Sequence, residues 1–183
     1  MDPSSALNTA LKNKYVSVVY EVKKFKETAY ISLVRSILEY AAPIWDPHLR
    51  KDIAAIESVQ RKAARFVKHD YHRTSSVSAM LAELGWANLA DRRRDLRLAL
   101  MFKIVHHHVA VPADTLDLKP PNRDLRKNHK HKYQNLAPST VEFKNSFVPR
   151  TIPVWNLLNK EVAEACSVDV FKSSLAKLGV PSV

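Results

Sequence analysis

Histidines close together in the chain, one thiol and several clusters of cations are the side chains here with the means to do chemistry. His106, His107 and His108 are consecutive. Neighbours on a helix point about 100° apart, so three in a row cannot converge on one ion. His129 and His131 alternate and could chelate together, but no Cys or carboxylate stands close by in the chain. Cys166 is the single cysteine. It reads as an idle or buried thiol rather than a nucleophile. Ser75 and Ser76 read as helix caps. No close pair of carboxylates offers a seat for magnesium in phosphoryl or nucleotidyl transfer. The expectation is a noncatalytic chain with no metal and no cofactor.

The cations are another matter. Between Gln60 and Val77 runs "QRKAARFVKHDYHRTSSV". On a helical wheel with Arg50 at zero, Arg50, Lys51, Arg61, Lys62, Arg65 and Lys68 fall between about 0° and 120°. Ile53, Ile56, Val59, Ala63, Ala64, Phe66 and Val67 fall between about 160° and 320°. Asp52 and Glu57 lie outside the basic arc. Arg50 and Lys51 also stand near the helix start, where the dipole disfavours cations. Such placement does nothing for folding and points to a phosphate-tracking face; a merely solvated helix face is the plain alternative. Arg73, His72 and Tyr71 extend the stripe past the helix end.

Two further clusters read differently. Arg92, Arg93, Arg94 and Arg97 alternate with Asp91 and Asp95, so local ion pairs explain them. Arg93 and Arg97 are four apart, with Glu39 as one acid they could meet. From Lys119 to Lys132, six Lys or Arg stand against Asp124 alone. Arg126, Lys127, Lys130 and Lys132 are its candidate phosphate contacts. His129, His131 and Tyr133 would share one face of an extended segment, a pattern suited to stacking single-stranded bases. A solvated loop is again the alternative.

Helices must position the first stripe. Phe25, Ala29, Leu33, Ile37 and Tyr40 recur at spacings of three and four, which predicts a helix from about Val22 to Ala42 with that stripe buried and Pro43 as its stop. Asp46 and Pro47 look like a cap and first residue of a helix running to about Asp70. "TSSVSAMLAELGW" predicts a short helix closed by Gly85, and another follows from after Asn88 to about His107. The run "LALMFKIV" is apolar all round and should be central to the core. Trp45, Trp86 and Trp155 read as core anchors. Beyond Val109 the chain is Pro-broken and basic. "HKYQNLA" and "EFKNSFVP" leave room for one short β-hairpin, and "TIPVWNLL" and "SVDVFKSSLAKL" predict short helices. The fold expected is mainly α, an irregular helical bundle with a Pro-rich basic loop. Residues 1–25 form a leader, 26–109 a helical region and 110–183 a C-terminal lobe.

The totals bound the partners. The 183 residues are 46% apolar, enough to bury a core. The formal charge is +11, which favours a polyanion through long-range attraction and counterion release. No run of eighteen apolar residues and no signal pattern occur, so no membrane partner is expected. One cysteine fits a reducing intracellular compartment, cytoplasmic or nuclear or both. Two glycines, Gly85 and Gly179, leave no glycine-rich phosphate loop.

The string "LVRSILEYAAPIWDPHLRKDIAAIESVQRKAARFV" resembles reverse transcriptases of LINE-type (non-LTR) retrotransposons of the jockey and chicken-repeat kind. It is similar to the stretch after the polymerase palm. The likeness continues through "YHRTSSVSAMLAELGW", "LADRRRDLRLALMFKIVH", "NHKHKYQ" and "KNSFVPRTIPVWNLL", and spans roughly residues 26–178. Residues 1–25 match poorly. No Asp-Asp pair occurs in the chain, so the family's magnesium-holding motif is missing, and so are endonuclease motifs and a Cys-His knuckle. The resemblance implies a thumb-like region and tail of an RNA-directed DNA polymerase without its catalytic part, as a truncated copy or a recruited fragment. It further implies helices that touch RNA template and DNA primer through the backbone. A structural module that supports a missing palm domain, or another protein, is the alternative.

Overall fold

The structure is a computed structural model that describes residues 3–111, 113–121 and 129–178. It is mainly helical, with no strand among the described residues. The chain divides into two compact units, residues 1–40 with 50–89 and residues 41–49 with 90–183. The division falls about twenty residues before the expected one near residue 110, because helix Leu89–Val105 belongs almost wholly to the second unit.

The first unit begins with α1 (Pro3–Ala29), a π-helical turn (Tyr30–Arg35) and α2 (Ser36–Glu39) as one continuous helical run. The face that packs is not the face the spacing predicts. Phe25, Leu33, Ile37 and Tyr40 are 67–80% exposed, and only Ala29 of that stripe is half-buried. The buried residue is Tyr30, flanked by half-buried Lys26 and Glu27. Its ring stacks on Trp86 with centroids 4.5 Å apart, and its hydroxyl donates to Gln60 Oε1 at 3.2 Å. Trp86 Nε1 donates to Glu27 Oε1 at 3.2 Å, and Lys26 Nζ lies 4.7 Å over the Phe66 ring. These side chains bury apolar bodies and satisfy polar tips, so a search for purely apolar periodicity passes over them. The run also stops before Pro43. Tyr40 turns extended and Ala41 takes the left-handed conformation at φ 50°, after which Pro43 lies inside α3 (Ala42–Trp45).

Next come α4 (Arg50–Lys68) and α5 (Val77–Glu83). Ser76 caps α5 by accepting from the Ala79 amide at 3.3 Å, and Gly85 closes it at φ 65°, as the sequence predicts. Ala64, Val67, Val77, Met80, Leu81 and Trp86 form the core of this unit around Tyr30.

The second unit is built on α6 (Leu89–Val105), the central helix that "LALMFKIV" foretells. Leu98, Ala99, Met101, Phe102 and Val105 pack on Ile152, Val154 and Trp155 of α8 (Phe147–Asn156) and on Phe171 and Leu175 of α10 (Val168–Leu178). Phe102 stacks on Phe171 at 4.5 Å. Short α7 (Val141–Lys144) and α9 (Lys160–Ala163) connect them, each capped by a side chain, Thr140 and Asn159. The two segments of the expected hairpin form no strand: "EFKNSFVP" spans the end of α7 and the start of α8, and the segment near Tyr133 pairs with a side chain and with one carbonyl of another segment. Tyr133 donates its amide to Asn156 Oδ1 at 3.1 Å and accepts from Asn156 Nδ2 at 2.7 Å, so one carboxamide imitates a strand's pair of bonds at that residue, while the Gln134 amide donates to the Lys119 carbonyl at 2.9 Å. Of the tryptophans, Trp86 and Trp155 are core residues, whereas Trp45 is 40% exposed.

Candidate nucleic-acid interface

The wheel reading of α4 holds in three dimensions for its packed arc except at Phe66, which lies at the edge of that arc at about 160°, is 47% exposed and carries Lys26 Nζ over its ring. Gln60, Ala64 and Val67 are buried and Ile53, Ile56, Val59 and Ala63 half-buried. Gln60 is a polar member of that arc. It accepts from Tyr30 and donates through Nε2 to the Ala87 carbonyl at 3.0 Å, which satisfies its burial. Glu57 is absent from the basic stripe because it works elsewhere: both carboxylate oxygens accept from the Leu89 amide, at 3.2 and 3.0 Å, and cap α6 from a distance.

The basic arc divides into two groups. Arg50, Lys51, Arg61 and Lys62 are exposed, and no carboxylate pairs with them among the described residues. Arg50 and Arg61 are eleven residues apart, about 16 Å along the axis. Between them, Ala54 and Ser58 fall within the same arc, so only small side chains separate the two cation pairs and a phosphate backbone could lie close to the helix. Arg50 and Lys51 open α4, where the dipole offers them nothing.

Arg65 and Lys68 are engaged within the protein. Arg65 donates to the carbonyls of Asp70 at 3.3 Å, His72 at 2.9 Å and Ser75 at 3.4 Å. Its guanidinium gathers the loop that leaves α4. Asp70 works on the same loop, its Oδ1 accepting from the His72 amide at 3.0 Å and from Ser75 Oγ at 2.9 Å. The Ser75 hydroxyl, then the His72 amide, hold the Asp70 carboxyl below its ordinary range. Lys68 pairs with Glu83, and that pairing holds the Glu83 carboxyl low. Arg73, at the tip of the loop, is exposed and without an ion pair among the described residues. The open cations are therefore Arg50, Lys51, Arg61 and Lys62 on one arc of α4, with Arg73 in the loop beyond it.

In the second unit, Arg126 and Lys127 lie outside the described residues. Lys130 is exposed and Lys132 half-buried. The rings expected to stack on bases are instead packed into this unit. His129 is buried, its Nε2 donating to the Trp155 carbonyl at 3.2 Å. His131 sits 4.8 Å from His106, and half-buried Tyr133 packs against the core. Burial holds both His129 and His131 below the ordinary imidazole value and raises Tyr133. Among the described residues no three His, Cys, Asp or Glu side chains form a group able to hold a metal. No helix of the described residues is long and apolar enough to cross a membrane.

The Arg92–Arg97 cluster has the structural use its sequence suggests, with a different acid. Arg94 pairs with Asp91 and Asp95. Arg93 and Arg97 pair with Asp46, not Glu39. Asp46 is thus no helix cap, and α4 starts at Arg50 rather than Pro47. Arg150 joins the same carboxylate at 3.2 Å, a partnership across more than a hundred residues that no local pattern could reveal. No family model, curated protein or solved structure matches the chain.

Proposed function

We propose that this chain is a noncatalytic nucleic-acid-binding module from the C-terminal part of a LINE-type retrotransposon RNA-directed DNA polymerase, gripping the template and primer backbone through α4. The single observation that carries the binding role is the open face of Arg50, Lys51, Arg61, Lys62 and Arg73: five cations without a carboxylate partner among the described residues, four of them along one helix. In the second unit Arg93, Arg94, Arg97 and Arg150 are by contrast drawn into ion pairs. The origin in a reverse transcriptase rests on the ordered sequence blocks, and the noncatalytic character on the absence of an Asp-Asp pair. Contacts of this kind reach phosphates and carry no base specificity.

The test is a fluorescence-anisotropy titration of duplex and RNA–DNA hybrid against salt. Five phosphate contacts give a slope of log affinity on log salt near about −4.5. Arg61→Ala with Lys62→Ala reduces that slope by about 1.8 and weakens binding to all sequences alike. Both side chains are exposed, so circular dichroism and melting stay as in the wild type. Equal affinity of variant and wild type would end the proposal.

A second reading is favoured by a different observation, the exposed apolar stripe of Phe25, Leu33, Ile37 and Tyr40. In it the chain is a structural module whose stripe docks a polymerase palm. A purified chain that stays monomeric in sedimentation, and does not bind a separately expressed palm fragment, would remove that reading.

A further inference from the structure

The Asp46 cluster contains more positive charge than its one carboxylate can balance. Arg93 is 0% exposed, Arg97 6% and the Arg150 side chain 24%. All three meet Asp46: Arg93 Nε donates to Oδ1 at 2.7 Å, Arg97 Nη1 donates to Oδ2, and Arg150 Nη1 lies 3.2 Å from Oδ2. Asp46 is the only carboxylate paired with Arg93 or Arg97 among the described residues. Three guanidiniums against one carboxylate leave two positive charges. Burying such an excess is expensive unless something else compensates it.

The hydrogen bonds are as lopsided as the charge. Arg150 is engaged through both terminal nitrogens, since Nη1 also donates to the Asp46 carbonyl at 2.8 Å and Nη2 to the Pro47 carbonyl at 3.3 Å. Arg93 and Arg97 are not. Nη1 and Nη2 of Arg93 and Nε of Arg97 are buried with no hydrogen-bond partner among the described residues. The edge of each guanidinium that meets Asp46 fastens α6 to the chain ahead of α4, and the other edge makes no hydrogen bond among the described residues. Trp45, 40% exposed, lies over Arg93 with its ring 5.9 Å from the guanidinium carbon. It is a surface ring covering a buried cation.

We propose that Arg93 and Arg97 form a site for a phosphate-class oxyanion, received by Arg93 Nη1 and Nη2 and Arg97 Nε, with the Trp45 indole as a cover that swings aside to admit it. A planar guanidinium with both terminal nitrogens free matches two oxygens of such an anion. Two surplus charges match a phosphate monoester, which carries about −1.5 to −2 at neutral pH, better than a carboxylate with one. Burial first, then the neighbouring Arg150 charge, holds Arg97 down to about 10, the direction expected where cations lack a counter-charge. The site lies wholly in the second unit and does not depend on the α4 reading.

The experiment titrates the full chain with inorganic phosphate, chloride being withdrawn to keep ionic strength constant. Binding is followed by tryptophan emission, by melting temperature and by phosphorus NMR of the ligand. The expected result is a saturable change in all three. Arg93→Lys keeps one charge but removes the fork, and weakens binding at least tenfold. Trp45→Phe abolishes the emission change while phosphorus NMR still reports binding. Arg61→Glu with Lys62→Glu leaves phosphate binding intact. Loss of binding in that α4 variant with none in Arg93→Lys overturns the proposal, as does a wild type with no saturable response. Should Arg93→Lys fail to fold, the wild type, Trp45→Phe and the α4 variant decide by the same readouts. A nucleoside monophosphate forms a second arm. Binding tighter than that of phosphate identifies a phosphorylated end of a larger ligand, and weaker binding identifies the free ion; either supports the site.

Discussion

Arg61 and Arg65 are one turn apart on the same arc of α4, yet one is exposed and the other gathers three loop carbonyls. The wheel gives direction only. Whether a long side chain finds a partner depends on where the loop after the helix folds back, and that is set by Asp70 with Ser75 and His72. Arg65→Met should therefore cost about 1–3 kcal/mol in urea denaturation, the range for losing hydrogen bonds to a charged donor, whereas Arg61→Met stays within about 0.5 kcal/mol. Asp46 shows the same limit, because an Asp before Pro is a local cap signal while its three partners are remote. Asp46→Asn removes the only counter-charge that three buried or half-buried guanidiniums have among the described residues, and should cost about 3–5 kcal/mol. His129 adds a pH dependence. Its folded value is depressed by burial, and the unfolded chain takes up a proton near pH 6.5. Stability from this group is thus complete above about pH 6.5 and is lost as the pH falls through the lower folded value. His131 shifts the same way, through burial and then the His106 charge. The urea midpoint should fall on acidification from pH 7, and His129→Gln, which can still donate to the Trp155 carbonyl, should flatten that slope.

At the scale of elements, helix positions were legible wherever periodicity met a capping residue. Ser76, Gly85 and the all-apolar half of α6 each left a local signature. The face of the first helical run was not legible. Its apolar stripe is real, but Tyr30, Glu27 and Lys26 make the contacts, through Trp86, Gln60 and Phe66. The π turn at Tyr30–Arg35 reinforces the stripe. Four residues of α-helix advance about 400°, so Ala29, Leu33 and Ile37 would drift by about 40° per step. A π turn holds one more residue per hydrogen-bonded loop and absorbs that drift, which keeps the three in line. Exposure of the stripe has a direct consequence. Leu33→Ser with Ile37→Ser should cost less than about 1 kcal/mol, as surface substitutions do, while Phe102→Ala in α6 should cost about 3–5 kcal/mol. Equilibrium denaturation of the two variants checks the pair; a stripe that is buried after all would show the larger cost at both places. The absent hairpin teaches a related lesson, since Asn156 can imitate a strand's hydrogen bonds and no sequence pattern separates the two cases.

For the molecule as a whole, the surplus of eleven positive charges acts on folding and on binding with opposite sign. Like charges on the exposed surface repel in the compact state, and added salt screens them over a Debye length that shrinks from about 10 Å at 0.1 M to about 3 Å at 1 M. Salt should therefore raise the urea midpoint of the free chain. The same salt reduces the counterion gain when the α4 face meets a polyanion, so affinity falls steeply over the range in which stability rises. The substitutions on that face bring the two effects together. Arg61→Glu with Lys62→Glu lowers the net charge by four, which should make the free chain slightly more stable at low salt, while it places repulsive charge where phosphates would lie. A variant that melts no lower than the wild type yet binds duplex at least tenfold more weakly separates a phosphate-binding face from a face needed for folding. Measuring both quantities on one preparation, at 50 and 200 mM salt, makes the comparison, and parallel loss of stability and affinity would assign Arg61 and Lys62 to the fold instead.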